Sequence, residues 1–464
     1  MDESKNPDSA SLPRPSKATF TKQKSSWAFT FLVTVLVPVV AATLLYQLDS
    51  FDPAPLPPDE LTRHVITVPA RNDHMLRVSE FVGVGNLIAP EDVAYDAKSG
   101  VIYTGCADGW ISRVTVNDSA ADSVVEKWVN TGGRPLGIAF GHNNELIVAD
   151  PEKRGWSLGD YGLTGLVWSL GGYGLAGSGG CGLMPGSRGM GLRGGMGVCS
   201  GDYRLTGLVV WSLGGCGLAE SGGCGLMPES HGMGLARWWR RGGLPWSDEK
   251  GLLNVTANGV VKLLTDEADG QKFKLTDADI FEGKPNGRLL SYDPAIKTTK
   301  VLVHNLYFAN GVVVSPDQNY VIFCETPMRR CGKYHIQGKE KGRVEKFIDH
   351  LPGLPDNIRY DGEGQYWIAL ATGHTLELDI AFRYPFIRKI LIIMEKYIGK
   401  PRMEKNGGVL AVDLAGNPIA HYYDPGLALV SSGIKIGNHL YCGSMVLPYI
   451  VRLNLKQYPA QATT

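Results

Sequence analysis

A single cadence governs this sequence: a short β-branched or aromatic run, a polar turn, and a second such run. "EDVAYDAKSGVIYTGCADGWISRVTV", from Glu91, reads strand, turn, strand, turn, strand. The pattern returns at "LGIAFGHNNELIVAD", at "NGVVVSPDQNYVIFCE", at "DNIRYDGEGQYWIAL" and at "SGIKIGNHLYCGSMVL". Runs of this kind bounded by Gly, Asn, Asp and Pro form strands, because β-branched side chains suit the pleat and turn residues end it. Regular repetition of such all-β units is the mark of a propeller.

The spacing of the unit starts counts the blades. Glu91 to Leu136 is 45 residues and Asn310 to Asp356 is 46, but Leu136 to Asp277 is 141. The excess falls on residues 154–250, where "GDYGLTGLVWSLGGYGLAGSGGCGLMPGSRGMGL" recurs as "GDYRLTGLVVWSLGGCGLAESGGCGLMPESHGMGL". That duplicated stretch raises Gly to 59 of 464 residues, nearly double the usual share of about 7%. Three readings stand beside each other: a WD-type array, a Gly-rich binding insert, and a non-native insertion. The last is favoured, because the stretch interrupts two blade strands and lacks propensity for either element. Without its 97 residues the Leu136–Asp277 distance shrinks to 44 and the period is restored. The next unit, Asp277 to Asn310, spans only 33 residues and lacks about a hairpin. Six starts emerge (Glu91, Leu136, Asp277, Asn310, Asp356 and Ser432), so the expected fold is an all-β, six-bladed propeller over residues 63–464. Arg63–Ala70 is the expected closing strand. A helical insertion is expected at 375–401, broken at Pro385, with Ile387, Ile390, Leu391 and Met394 on one face and Arg388, Lys389, Glu395 and Lys396 on another. It reads either as a helix packed on the propeller or as a basic amphipathic element on a membrane surface.

Ahead of the repeats, "WAFTFLVTVLVPVVAATLLY", residues 27–46, carries no charge. About 20 apolar residues span a bilayer, and Trp27 and Tyr46 stand where interfacial aromatics do. Lys17, Lys22 and Lys24 flank its N-terminal side, which places residues 1–26 in the cytosol and the propeller across a membrane of the secretory pathway: endoplasmic reticulum, vacuole or plasma membrane. A cleaved signal peptide is the rival reading. Residues 47–62 form a Pro-rich stalk. That topology permits disulfides, though spacing fixes no pairing among the eight Cys, and it opens the sequons at Asn117 and Asn254 to glycosylation. Lys plus Arg equals Asp plus Glu at 46 each, so nothing points to nucleic acid.

In a propeller the first strand of each blade lines a central channel. Glu91, Asp277, Asn310 and Asp356 occupy equivalent starts, with Asn357 beside Asp356. All offer oxygen and none offers sulfur or imidazole, a donor set suited to Ca²⁺. Carboxylates alone at that density would repel one another.

The stretches "PEDVAYD", "FANGVVVSPDQNYVIFCETPMRRC" and "GLPDNIRYDGEGQYWIAL" resemble the strictosidine synthase-like family, with animal adipocyte plasma membrane-associated proteins as relatives and paraoxonases and gluconolactonases as more distant kin. The resemblance covers about residues 27–150 and 251–455. It implies a six-bladed propeller, often membrane-anchored, with a channel calcium whose ligands match Glu91, Asn310, Asp356 and Asn357; Asp277 departs from an expected Asn. It also implies what is missing. "GLALVSSGIKIGNHLYCGS" holds no Glu where strictosidine synthase carries its catalytic one, and Leu136 stands where paraoxonases place a His. Catalytic residues are therefore unassigned. The expected activity is calcium-dependent hydrolysis of small esters or lactones, with a non-catalytic binding propeller as the alternative. His142, His304 and His374 are expected at the surface.

Overall fold

The computed structural model describes residues 31–58, 61, 64–141, 144–150, 196–198, 209–213, 251–259, 261–265, 280–293, 295–399 and 404–463. The chain divides into two units, 1–50 and 51–464. In the first, a π-helical turn over Leu32–Leu36 leads into helix α1, Val37–Leu48. Of the transmembrane helix expected over 27–46, residues 31–46 are described, as a π-helical turn that passes into α1. Pro38 sits in the first turn of α1, where its missing N–H is tolerated. None of the described helices is long and apolar enough to cross a membrane; Trp27 lies outside the described residues.

The second unit is an all-β propeller. Five sheets are four-stranded. Sheet 1 comprises Val93–Asp96, Val101–Gly105, Trp110–Thr115 and Val124–Asn130. Sheet 2 comprises Gly137–Phe140, Leu146–Asp150, Gly251–Val255 and Val261–Thr265. Sheet 3 runs Met196–Val198, Val209–Leu213, Gly287–Asp293, Thr298–Leu306. Sheet 4 comprises Ala309–Val314, Tyr320–Glu325, Arg330–His335 and Val344–Ile348. Sheet 6 joins Val430–Ile436, His439–Ser444 and Ile450–Asn454 to Glu80–Val82 from the other end of the chain. Sheet 5 departs from the expected six uniform blades. It starts as Gly353–Tyr360, Gln365–Gly373, Gly407–Asp413 and Pro418–Asp424, then adds Ala70–Asn72, parallel, and Gln461–Ala462. Arg63–Ala70 is thus not the closing strand; Glu80–Val82 does that, pairing Glu80 with Arg452.

Burial follows position in the sheet. Ala309–Val314 is buried at every residue, whereas the outer strand Val124–Asn130 is mostly exposed or half-buried. First strands face neighbours on both sides, so they read as continuous apolar runs rather than alternating ones. Apolar clusters fill the gaps between sheets; Val313, Ile322, Ile358 and Ile368 share one between sheets 4 and 5.

The Gly-rich stretch enters and leaves between adjacent strands of sheet 2, since Asp150 pairs with Gly251. Two pieces of it, Met196–Val198 and Val209–Leu213, take the inner places of sheet 3. Those are the places the short third unit leaves open. The rest of 154–250 lies outside the described residues.

Cys324 and Cys331 are opposite one another in sheet 4 and form a disulfide across a seven-residue separation; Cys106 and Cys442 are free and buried. Closing so short a loop constrains the unfolded chain modestly, so replacing both cysteines by alanine is expected to cost about 2 kcal/mol. Denaturant unfolding of the double variant measures this, and an unchanged midpoint would show that the hairpin gains nothing from the bond.

The insertion after sheet 5's second strand forms α2, Leu376–Arg383, and α3, Pro385–Tyr397. Thr375 caps α2 through the Leu378 N–H, and Pro385 begins α3. The inward face of α3 is not the expected one. Arg388 and Ile392 are buried, whereas Ile390 is exposed. The Arg388 guanidinium donates to the carbonyls of Phe281 (2.7 Å) and Ala54 (2.5 Å). The stalk is likewise no free spacer: Leu56 is buried with Phe281, Leu378, Phe382 and Ile392, and Phe51 and Leu61 pack at the edge of that cluster.

Candidate metal centre in the propeller channel

Close approach of the inner strands sets the geometry. A Cβ at Gly311 would overlap the Asp356 carbonyl oxygen and crowd Asn357 Cα, so only glycine lets Ala309–Val314 run so near Gly353–Tyr360. A Cβ at Gly443 would come within 2.5 Å of the Glu91 carbonyl oxygen. Ser431 Oγ donates to that same oxygen at 2.7 Å. Small residues thus let sheet 6 close against the start of sheet 1.

Glu91, Asn310, Asp356 and Asn357 are each at most 5% exposed. Glu91 lies just ahead of sheet 1, Asn310 is in sheet 4, and Asp356 and Asn357 are in sheet 5. Burial pushes the Asp356 carboxyl well above the usual carboxylate range, and the charges of Glu91 and Asp92 push it further. The Asn310 side chain and the Asn357 backbone N–H oppose this by hydrogen bonding to it. Asn310 Nδ2 also reaches Thr326 Oγ1 (3.5 Å), which donates to the Pro355 carbonyl (2.8 Å). Asn357 Oδ1 and Ser432 Oγ are buried with no hydrogen-bond partner. A buried acceptor left unpaired costs roughly 1–3 kcal/mol, which a cation would offset at Asn357.

Sequence reasoning missed two arginines here. Arg134 is 1% exposed. Its Nε lies 3.6 Å from Glu91 Oε2, and its backbone N–H donates to Asp150 Oδ1 at 2.9 Å. Arg359, fully buried, pairs with fully buried Asp92 and donates to the Ile138 carbonyl at 3.1 Å. Asp92 in turn accepts from the N–H groups of Val93 and Ile138, both at 2.8 Å. One guanidinium from sheet 5 thus holds sheets 1 and 2 beside Glu91. The signal was present: an arginine in the inner strand stretch "DNIRY" has to find a partner once that strand is buried.

Asp277 lies outside the described residues, as does His142. Among the described residues no group of three or more His, Cys, Asp or Glu is arranged to hold a metal. What converges is two carboxylates and two amides, a set that fits a hard cation by chemistry, with Arg134 as a competing positive charge. Leu136 is buried, its N–H bonded to the Ala149 carbonyl. His304 is exposed, and His374 is half-buried with Nε2 3.9 Å from Asp379. Asn117 is exposed beyond Trp110–Thr115, whereas Asn254 is half-buried within a paired strand.

A strictosidine synthase family model matches residues 252–339, and a strictosidine synthase-like N-terminal model matches 70–114. Protein STRICTOSIDINE SYNTHASE-LIKE 6 of Arabidopsis thaliana is 41% identical over 454 residues, covering 92% of this chain and 95% of the relative. The adipocyte plasma membrane-associated protein of Gallus gallus is 27% identical, covering 92% and 89%. Among solved structures, a gluconolactonase from Xanthomonas campestris aligns at 12% identity and TM-score 0.42, covering 87% of this chain and 98% of that one. The calcium-binding protein regucalcin from Agrobacterium tumefaciens aligns at 12% and 0.41, covering 86% and 98%.

Proposed function

This chain belongs to the strictosidine synthase-like family, and from that premise we propose that it is a membrane-anchored, calcium-binding propeller that hydrolyses small esters or lactones. The sheet 5 core is taken as the sixth blade, with Ala70–Asn72 and Gln461–Ala462 added at its rim. Residues 27–46 are taken as the anchor, with the propeller on the lumenal side of a secretory-pathway membrane and Asn117 as a glycosylation site.

The observation that carries this reading is the burial of Glu91, Asn310, Asp356 and Asn357, with Glu91 and Asn310 both acting on the Asp356 carboxyl and Asn357 Oδ1 unpartnered. These four would hold the ion, which when bound polarises an ester carbonyl. Asn310 and Asn357 supply neutral oxygens and Glu91 and Asp356 supply charge. The Asn310–Thr326–Pro355 chain of hydrogen bonds keeps the amide from turning away. Leu136 offers an apolar wall and cannot move a proton, so turnover is expected to be slow. Strictosidine synthesis is not proposed, because serines Ser431 and Ser432 stand in the region where that reaction's glutamate would be needed.

Arylester and lactone hydrolysis should fall at least about tenfold on chelation and recover with Ca²⁺, and Asn310→Ala should show the same loss. Hydrolysis indifferent to both would sink the reading. The buried Leu136 favours a second reading, a propeller whose calcium is structural; Ca²⁺ would then raise the melting temperature without any hydrolysis.

A further inference from the structure

We propose that the outer face of α2 and α3 is a lipid-contacting surface that lies on the bilayer holding the N-terminal helix. The proposal rests on the membrane-anchor reading above and extends it to the propeller itself. Exposed large apolar side chains are concentrated here. Leu376, Tyr384, Phe386, Ile390, Tyr397 and Ile398 are 42–81% exposed, all within 23 residues, against nine spread over the rest of the described propeller unit. Patches of this density mark interaction sites. The helices do not present these residues for lack of an inward face, since Leu378, Phe382 and Ile392 already fill it.

The route of the chain selects the occupant. Phe51, Leu56 and Leu61 pack on these same helices. Arg388 holds the Ala54 carbonyl and Arg383 the Leu61 carbonyl at 2.8 Å. The chain therefore leaves the propeller unit at α2–α3, and only Asp49 and Ser50 separate Phe51 from Leu48, the end of α1. Three peptide steps reach about 10 Å. A bilayer that takes up α1 is thus within reach of the exposed face. The composition agrees: Tyr384 and Tyr397 near the ends of α3 suit the headgroup level, and exposed Lys396 with half-buried Lys389 outnumbers half-buried Glu395 on α3, an excess suited to anionic lipid.

The test uses the full chain reconstituted in phosphatidylcholine vesicles with and without phosphatidylserine. A dansyl-bearing residue is installed singly at Phe386, Ile398, Val39 or Val344, and spin-labelled lipid is the quencher. Quenching is expected at Phe386, Ile398 and Val39, and none at Val344, an exposed residue of sheet 4. Quenching at Val39 alone would overturn the inference and leave the anchor standing. Quenching at Phe386 and Ile398 without Val39 would support the face and overturn the anchor. Quenching at neither would overturn both. A dansyl blue shift at Phe386 that rises with protein concentration in detergent, without lipid, would instead assign the face to a second copy and overturn the proposal.

Discussion

Replacing Arg359 by methionine is expected to destabilise the propeller by about 3–5 kcal/mol, the cost of leaving a buried carboxylate without its partner. Asp92 and Arg359 are both fully buried and paired. Burial pushes the Asp92 carboxyl up, and the Arg359 charge and the N–H groups of Ile138 and Val93 only partly offset it. Methionine fills the volume of the stem but removes the donors to Asp92, Val93 and Ile138. The loss should be largest at neutral pH, where the orphaned carboxylate is costliest. Adding Asp92→Asn should recover part of it, because a neutral amide keeps a hydrogen-bonding carbonyl without the charge. Denaturant midpoints of the three variants test this, and an Arg359→Met cost below about 1 kcal/mol would mean the pair is not a structural bolt. The same pair bears on the channel. Glu91 precedes Asp92, so a displaced Asp92 moves a proposed ligand, and calcium affinity should fall with stability.

How much of this was legible follows from the physics of each residue. Strand periodicity is local, and turn chemistry is local, so the all-β propeller was readable from the runs that follow Glu91, Asn310 and Asp356, whereas six uniform blades were not what the sheets show. Phase within the repeat led to the expectation that those residues face one channel, because equivalent positions in a ring face a common axis; the structure shows them buried, with Glu91 and Asn310 acting on Asp356. The partners were not readable. Arg359 meets a carboxylate 267 residues away in another sheet, and Arg134 lies beside Glu91 of the neighbouring repeat; nothing in spacing tells which carboxylate a buried guanidinium meets. The closing strand was misassigned for a related reason. "RHVITVPA" has the stronger β propensity, yet Glu80–Val82 is the segment that reaches Ile450–Asn454, and tertiary pairing overrides propensity. On α3, periodicity placed Ile390 inward. The carbonyls of Ala54 and Phe281 reward a donor on the inner side instead, so Arg388 takes that place.

The two strands added to sheet 5 carry a second large effect, and it depends on pH. Ala70–Asn72 covers Pro418–Asp424, pairing Arg71 with His421. His421 is 4% exposed, its Nε2 has no hydrogen-bond partner, and its ring stacks on Tyr423 at 4.5 Å. Burial, with the Arg71 charge as a lesser cause, pulls its pKa down from 6.5 to about 3. The unfolded chain therefore binds a proton near pH 6.5 that the folded one refuses until about pH 3. Stability from this residue is fully present above pH 6.5 and is lost as pH falls toward the folded value. Each pKa unit is worth about 1.4 kcal/mol, so the loss reaches about 3 kcal/mol at pH 4. His421→Phe keeps the ring and removes the titration. Its stability relative to the parent should be nearly constant above pH 7 and should rise by about 1.4 kcal/mol for each pH unit below 6.5. Carboxylates elsewhere titrate in both proteins and cancel in the difference. Paired unfolding curves at pH 7, 5.5 and 4 measure that difference, and a pH-independent gap would show that His421 takes up its proton without leaving the sheet.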